Sequence, residues 1–139
     1  MKHLNFAIFL WVAFTLAGSQ SVFAGDNDPL FVNMTTDDDY RSSLAIAVSK
    51  AMFERGHPLT IFFNDRGILV TAKQNGEKFK EQQATLTELT AAGAMLIACP
   101  KCMKHYHIEA SDLLAGIKVG NAQVTGDALF KANTRTLSW

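Results

Sequence analysis

The stretch Ala98-Cys99-Pro100-Lys101-Cys102-Met103-Lys104-His105-Tyr106-His107 holds both cysteines of the chain and three of its neighbours that could assist a thiol. Pro100 suits the first position of a helix, where its missing N–H would be unpaired anyway. That puts Cys99 near the helix N-cap, where free backbone N–H groups and the positive end of the helix dipole favour a thiolate. Lys101 and Lys104 reinforce the effect, and His105 is a supporting residue. Cys102 falls about one turn on, close enough to attack a sulfur held on Cys99. The spacing therefore points to a nucleophilic Cys99 with Cys102 as its resolving thiol, and Cys99 should be alkylated first.

Other chemistries use the same residues. A passive disulfide is one, though so small a loop constrains the unfolded chain little. Cys99, Cys102, His105 and His107 could capture Cu(I) or Zn(II), but they crowd into nine residues, and zinc sites usually draw a second ligand pair from a distant segment. Met103 stands where covalent haem attachment requires histidine. A thioredoxin-like arrangement fits poorly, because the pair follows a late strand and not the opening one. No cofactor or resident metal is expected. His105 and His107 read individually as solvated histidines, and Met103 and Tyr106 as packing residues.

The elements that must position this segment follow from apolar periodicity, which switches between two and 3.6 residues. Pro29 to Met34 reads as a buried strand, followed by Asp37, Asp38 and Asp39 as helix-capping residues, with a divalent-ion role the lesser alternative. Tyr40, Leu44, Ala47, Val48, Ala51 and Met52 form a helical stripe that stops at Gly56. Leu59 to Phe63 is the next strand, Asn64-Asp65-Arg66-Gly67 a turn, and Ile68 to Ala72 a further strand or a continuation. Phe79, Gln82, Leu86 and Leu89 recur at helical spacing before Gly93. Ala94 to Ala98 is the buried strand that delivers Cys99. Short helices are expected around Lys101–His107, Ser111–Leu114 and Asp127–Lys131, with a final strand in Thr134–Trp139. Strands alternating with helices imply an α/β fold: one domain, a three-layer sandwich around a mostly parallel sheet. Ligands of such sheets bind beyond the carboxyl ends of the strands, the edge where Asp37–Asp39, Asn64–Arg66 and Cys99 should meet.

Composition narrows the class of function. The 139 residues carry 13 Lys+Arg and 13 Asp+Glu, with 48% hydrophobic residues. Such balance excludes a disordered tail and a polybasic arm, and it removes long-range attraction to nucleic acid or anionic membrane. Two cysteines are too few for a disulfide-framework mini-protein. Met1 to Ala24 combines a basic start, a 14-residue apolar stretch from Leu4 to Ala17 and small residues around Val22 and Ala24. These are the marks of a secretory signal peptide, and the stretch is shorter than the roughly 20 residues of a membrane helix. With no cysteine at the cut, neither a lipid nor a stable membrane anchor is expected. Cleavage after Ala24 leaves residues 25–139 as the mature domain. Export, to the periplasm, would place the cysteine pair in an oxidising compartment.

The strand ending in Cys99, the helix after it and Asp112-Leu113-Leu114-Ala115-Gly116-Ile117 resemble the DsrE/DsrF-like family. So do the strand pair Leu59–Phe63 and Gly67–Ala72 and the ending Thr136-Leu137-Ser138-Trp139. The likeness spans nearly all of residues 25–139, and only the cysteine–helix–DLLAGI block is specific. The resemblance implies a compact α/β sandwich, assembly as a homo-oligomer (trimer or hexamer), and sulfur carried as a persulfide on the cysteine that matches Cys99. It assigns no role to Cys102, and the signal peptide departs from the cytoplasmic sulfur-relay members. The expected function is an exported protein that handles sulfur or thiols, as sulfurtransferase, sulfur carrier or thiol-disulfide oxidoreductase. It would carry persulfide on Cys99 or cycle a Cys99–Cys102 disulfide, with a sulfur donor or acceptor protein, or a small thiol or polysulfide, as partner. The alternatives are a soft-metal binding module and a non-catalytic oligomer subunit.

Overall fold

The computed structural model describes residues 25–139; the signal-peptide expectation for residues 1–24 lies outside the described residues. Five strands form one sheet, β1 (Leu30–Met34), β2 (Leu59–Phe63), β3 (Met95–Ala98), β4 (Lys118–Val119) and β5 (Arg135–Ser138), in the order β4-β3-β2-β1-β5. All four pairings are parallel. The helices are α1 (Asp39–Glu54), α2 (Lys80–Ala91), α3 (Pro100–His105) and α4 (Ala122–Leu129), and a 3₁₀ helix spans Asp65–Thr71.

Alternation along the strands sorts side chains onto two faces. Leu30, Val32 and Met34 of β1 and Leu59, Ile61 and Phe63 of β2 join Leu96, Ala45, Ile46, Leu86 and Leu89 in the main core. Phe31, Phe62 and Thr136 point to the opposite face, where Thr125 and Leu129 of α4 line a shallow cleft with them. The molecule is thus an α/β sandwich with helices on both faces of the sheet, as expected from the sequence.

Both long helices end in a Schellman turn. Gly56 (φ +100°) donates to Phe53 O while His57 donates to Met52 O, and Gly93 (φ +98°) donates to Thr90 O while Ala94 donates to Leu89 O. Left-handed φ is costly for any residue with a Cβ, so glycine marks both stops.

Four local expectations are corrected. In α1 the buried face is Ser42, Ala45, Ile46 and Ser49, whereas Tyr40 and Leu44 are 75% and 43% exposed. Asp38 caps the helix and sets its phase, and the small serines let α2 come close, with Gln82 donating to Ser42 Oγ and Ser49 bonding back to Ala45 O. Ile68 to Ala72 is no strand, because both edges of β2 are already occupied by β1 and β3. Its carbonyls are satisfied by side chains instead: Gln83 donates to Val70 O and Ala72 O, and Asn75 to Leu69 O. The helix expected at Asp127–Lys131 starts earlier, where Asn121 accepts from the Val124 N–H. The two-residue β4 was not anticipated, and the segment around Ser111–Leu114 is a single 3₁₀ turn, Ala110–Asp112.

Candidate functional site

Strand β3 is a short apolar rod whose last three residues are buried, and it delivers Cys99 to the carboxyl edge of the sheet. The Cys99 N–H is held by Phe63 O at 2.9 Å, which ties the residue to the end of β2. Cys99 is the N-cap of α3, Pro100 follows as its first residue, and Met103 anchors the helix in the core. These constraints leave Cys102 directly beside Cys99.

Both thiols are free and half-buried. Cys99 Sγ accepts from the Cys102 N–H at 3.4 Å, and the Cys102 thiol donates to Cys99 Sγ at 2.7 Å. A disulfide needs about 2.0 Å between sulfurs, so the two thiols stand within reach of one, and joining them takes a two-electron oxidant or a leaving group on one sulfur. Cys102 Sγ in turn accepts from the Asp65 N–H at 3.1 Å. Burial, the hydrogen bond to Cys99 and the nearby Asp65 carboxylate push the Cys102 thiol up to about 11, against the opposing pull of the Asp65 N–H. Cys102 is therefore a protonated donor at neutral pH and Cys99 the acceptor of both its hydrogens.

The end of β2 builds the second wall. Asn64 donates to Asn33 Oδ1, and Asn33 donates to Ser138 Oγ at 3.1 Å, which links the ends of β2, β1 and β5. Asp65 has φ +44°, and its carboxylate accepts from the Tyr106 hydroxyl at 3.0 Å. Arg66 makes a two-point pair with Asp37 (2.6 and 2.7 Å), and Lys78 approaches the same carboxylate at 3.4 Å. The Arg66 hydrogen bond, with the charges of Arg66 and Lys78, holds the Asp37 carboxyl below its ordinary value despite burial.

Of the site residues expected from the sequence, Cys99 and Cys102 come together and the others do not join them. Lys101, Lys104 and His105 are exposed, and among the described residues none of them bonds to either sulfur. His105 stands edge-on to Tyr106, with ring centroids 4.7 Å apart. No three His, Cys, Asp or Glu side chains among the described residues are placed to hold a metal ion, so Cys99, Cys102, His105 and His107 do not form the ligand set considered above. Of the three aspartates only Asp38 caps α1; Asp39 accepts from Gln82 and Asp37 pairs with Arg66. Tyr106, expected only to pack, bonds to Asp65. Asp65 lies on the sheet edge where the sequence places Asn64–Arg66 beside Cys99, but its bond to Cys102 Sγ comes from a backbone N–H, which carries no signature in the sequence.

The family profile described as DsrE/DsrF-like matches residues 30–134. The chain belongs to the DsrE/DsrF-like family. At the level of the family, membership points to sulfur-relay chemistry with partner proteins. Solved structures agree on the fold. A protein of unknown function from Methanobacterium thermoautotrophicum, MTH1491, aligns with a TM-score of 0.68 at 17% identity, over 81% of this chain and 100% of its own. The ychN protein from E. coli aligns with a TM-score of 0.66, also at 17% identity, over 81% of this chain and 99% of its own. No curated protein matches the chain.

Proposed function

We propose that this member of the family is an exported sulfur-handling protein in which Cys99 carries sulfur as a persulfide and Cys102 resolves it. The observation that carries the reading is the sulfur-to-sulfur contact of 2.7 Å at the carboxyl end of β3. A loaded Cys99–S–SH has two routes of discharge. An external thiolate attacks the outer sulfur, takes it as R–S–SH and leaves the Cys99 thiolate. Alternatively Cys102 attacks the inner sulfur: the Cys99–Cys102 disulfide forms, the S–SH bond breaks, and the departing sulfur leaves as H₂S with the Cys102 hydrogen. In the second route the persulfide is reduced and the dithiol oxidised, so a thiol reductant must reset the pair.

Export to the periplasm follows from the composition of residues 1–24, and it requires a sulfur donor and an acceptor, protein or small thiol, outside the cytoplasm. The proposal includes assembly as a trimer or hexamer, which the 84% exposed Phe130 at the end of α4 favours.

The experiment is to load purified, reduced protein with polysulfide and weigh it by mass spectrometry. One extra sulfur on the wild type, lost in Cys99→Ser and longer-lived in Cys102→Ser, is expected. Absence of the adduct on both wild type and Cys102→Ser, or its persistence in Cys99→Ser, rejects the reading. In the Cys102→Ser variant an acceptor thiol that attacks the inner sulfur of the persulfide should displace H₂S and stay joined to Cys99 as a mixed disulfide.

A further inference from the structure

We infer that Asp65 is the positioning residue of the resolving thiol: its left-handed turn, pinned by Tyr106, aims the backbone N–H at Cys102 Sγ and supports the negative charge that Cys102 must bear when it attacks. The role given to Cys102 rests on the function proposed above; the contact itself is independent of it.

Three observations converge here. The Asp65 N–H reaches Cys102 Sγ at 3.1 Å across 37 residues of sequence, from the end of β2 to α3. Asp65 adopts φ +44°, a region that aspartate, asparagine and glycine tolerate and β-branched residues do not. The Tyr106 hydroxyl, one turn beyond Cys102 at the C-cap of α3, donates to the Asp65 carboxylate at 3.0 Å and so ties the donor to the helix that carries its acceptor. The groups facing Cys102 are Cys99 from its own helix cap and the Asp65 N–H and carboxylate from the β2 end. The Tyr106 hydroxyl, bonded to that carboxylate, also faces Cys102 and is itself pushed above its ordinary value by burial and by Asp65, and Arg66 is engaged by Asp37.

The two parts of Asp65 act in opposite directions. Its N–H donates to the sulfur and favours the thiolate, whereas its carboxylate repels that charge. Tyr106 keeps the carboxylate hydrogen-bonded and the N–H in line. A residue serving the turn alone would influence stability and leave the sulfur untouched.

The test measures Cys102 by itself, in reduced Cys99→Ser protein, through the ultraviolet titration of its thiolate and its alkylation rate at fixed alkaline pH. Asp65→Val, which disfavours the left-handed turn, and Tyr106→Phe, which releases the carboxylate, are expected to raise the titration midpoint and slow alkylation roughly three- to tenfold. Asp65→Asn keeps the turn and the acceptor for Tyr106 but removes the charge, so its midpoint should fall below that of the parent and its alkylation should quicken. Unchanged midpoints in Asp65→Val and Tyr106→Phe overturn the inference, as does an Asp65→Asn midpoint raised as far as that of Asp65→Val. Should Asp65→Val fail to fold, Tyr106→Phe and Asp65→Asn decide the matter. No sulfur is loaded in these measurements. A protein that takes up no persulfide, yet whose Cys102 follows Asp65 in this order, loses the proposed function and keeps this contact.

Discussion

Cys102 and Asp37 are both partly withdrawn from water, and their surroundings drive them in opposite directions. Burial and the hydrogen bond to Cys99 push the Cys102 thiol up to about 11, so near neutrality it is overwhelmingly protonated. Since alkylation follows the thiolate, Cys99 should be the thiol labelled first in a timed series read by peptide mass spectrometry. Preferential labelling of Cys102 would exchange the two roles. Asp37 is held charged by Arg66 and Lys78, which attaches the start of the 3₁₀ helix to the loop after β1. Its folded pKa lies below the ordinary 3.8. It therefore contributes stability that is fully present above that value and is lost as pH falls through the lowered one. Because Arg66 is largely exposed, solvent screens the pair, and Asp37→Asn should cost about 1–2 kcal/mol at neutral pH. Chemical melts should show that difference shrinking below the ordinary carboxylate range; a constant difference down to about pH 3 would refute the linkage.

The strands of this domain were legible because each is a short apolar run between turn signals, and Leu59–Phe63 agrees to the residue. Segments whose partners come from far away were less so. Ile68, Val70 and Ala72 alternate as a strand would, yet Ile68 and Val70 are buried on a 3₁₀ helix and Ala72 just after it, with carbonyls of this segment meeting Gln83 and Asn75. Nothing local announces that glutamine contact. In the site, the Cys-Pro-Lys-Cys spacing indicates the thiol pair and the sheet rule brings Asn64–Arg66 to the same edge, but the Asp65 N–H bond to Cys102 and the Tyr106 bond to Asp65 required knowing that β2 ends beside β3. Gly67 shows the same limit. Its place in Asn-Asp-Arg-Gly predicts a turn residue, whereas a Cβ there would collide with the Met34 carbonyl, so the close approach of two backbones is what demands glycine. Gly93 has open space around it and needs only its positive φ. Gly67→Ala should therefore destabilise by about 2–3 kcal/mol through overpacking, and Gly93→Ala by about 1 kcal/mol through backbone strain alone. Gly67→Ala should also weaken the effect of Asp65 on Cys102, because it displaces the turn that carries the N–H. Thermal melts of the two variants check the order, and a Gly93→Ala loss equal to that of Gly67→Ala would contradict it.

Across the whole molecule the two ends of the sheet differ in character. The carboxyl end gathers the thiols, Asp65, Tyr106 and the Asn33–Asn64 link, while the amino end opens into a cleft of about 680 Å³ lined by Pro29, Pro58, Met95, Lys118 and Lys131. Gly25, where the mature chain would begin under the proposed export, lies close to that amino end. Its N–H donates to Asp28 Oδ2 at 2.9 Å, and Arg135 of β5 reaches the same oxygen at 3.1 Å. Cleavage after Ala24 would convert that amide into a charged amino group beside a carboxylate already fixed by the sheet. The proposed processing would thus create an ion pair that joins the chain start to β1 and β5. Expression of the full chain in a bacterial host should yield, in the periplasmic fraction, a 115-residue species beginning at Gly25; recovery of the intact 139-residue chain in the membrane fraction would reject the processing. The new amino group has an ordinary pKa of about 7.7–8.0, and a carboxylate partner raises it in the folded state. The pair should therefore stabilise the processed chain below that range and cease to do so as pH rises through the raised folded value. Compared with the same chain acetylated at Gly25, the gain should be about 0.5 kcal/mol near neutrality and nil in strong alkali, because Gly25 is exposed although Asp28 is buried. Equal stability of the acetylated and free forms at neutral pH would show that Arg135 alone satisfies Asp28.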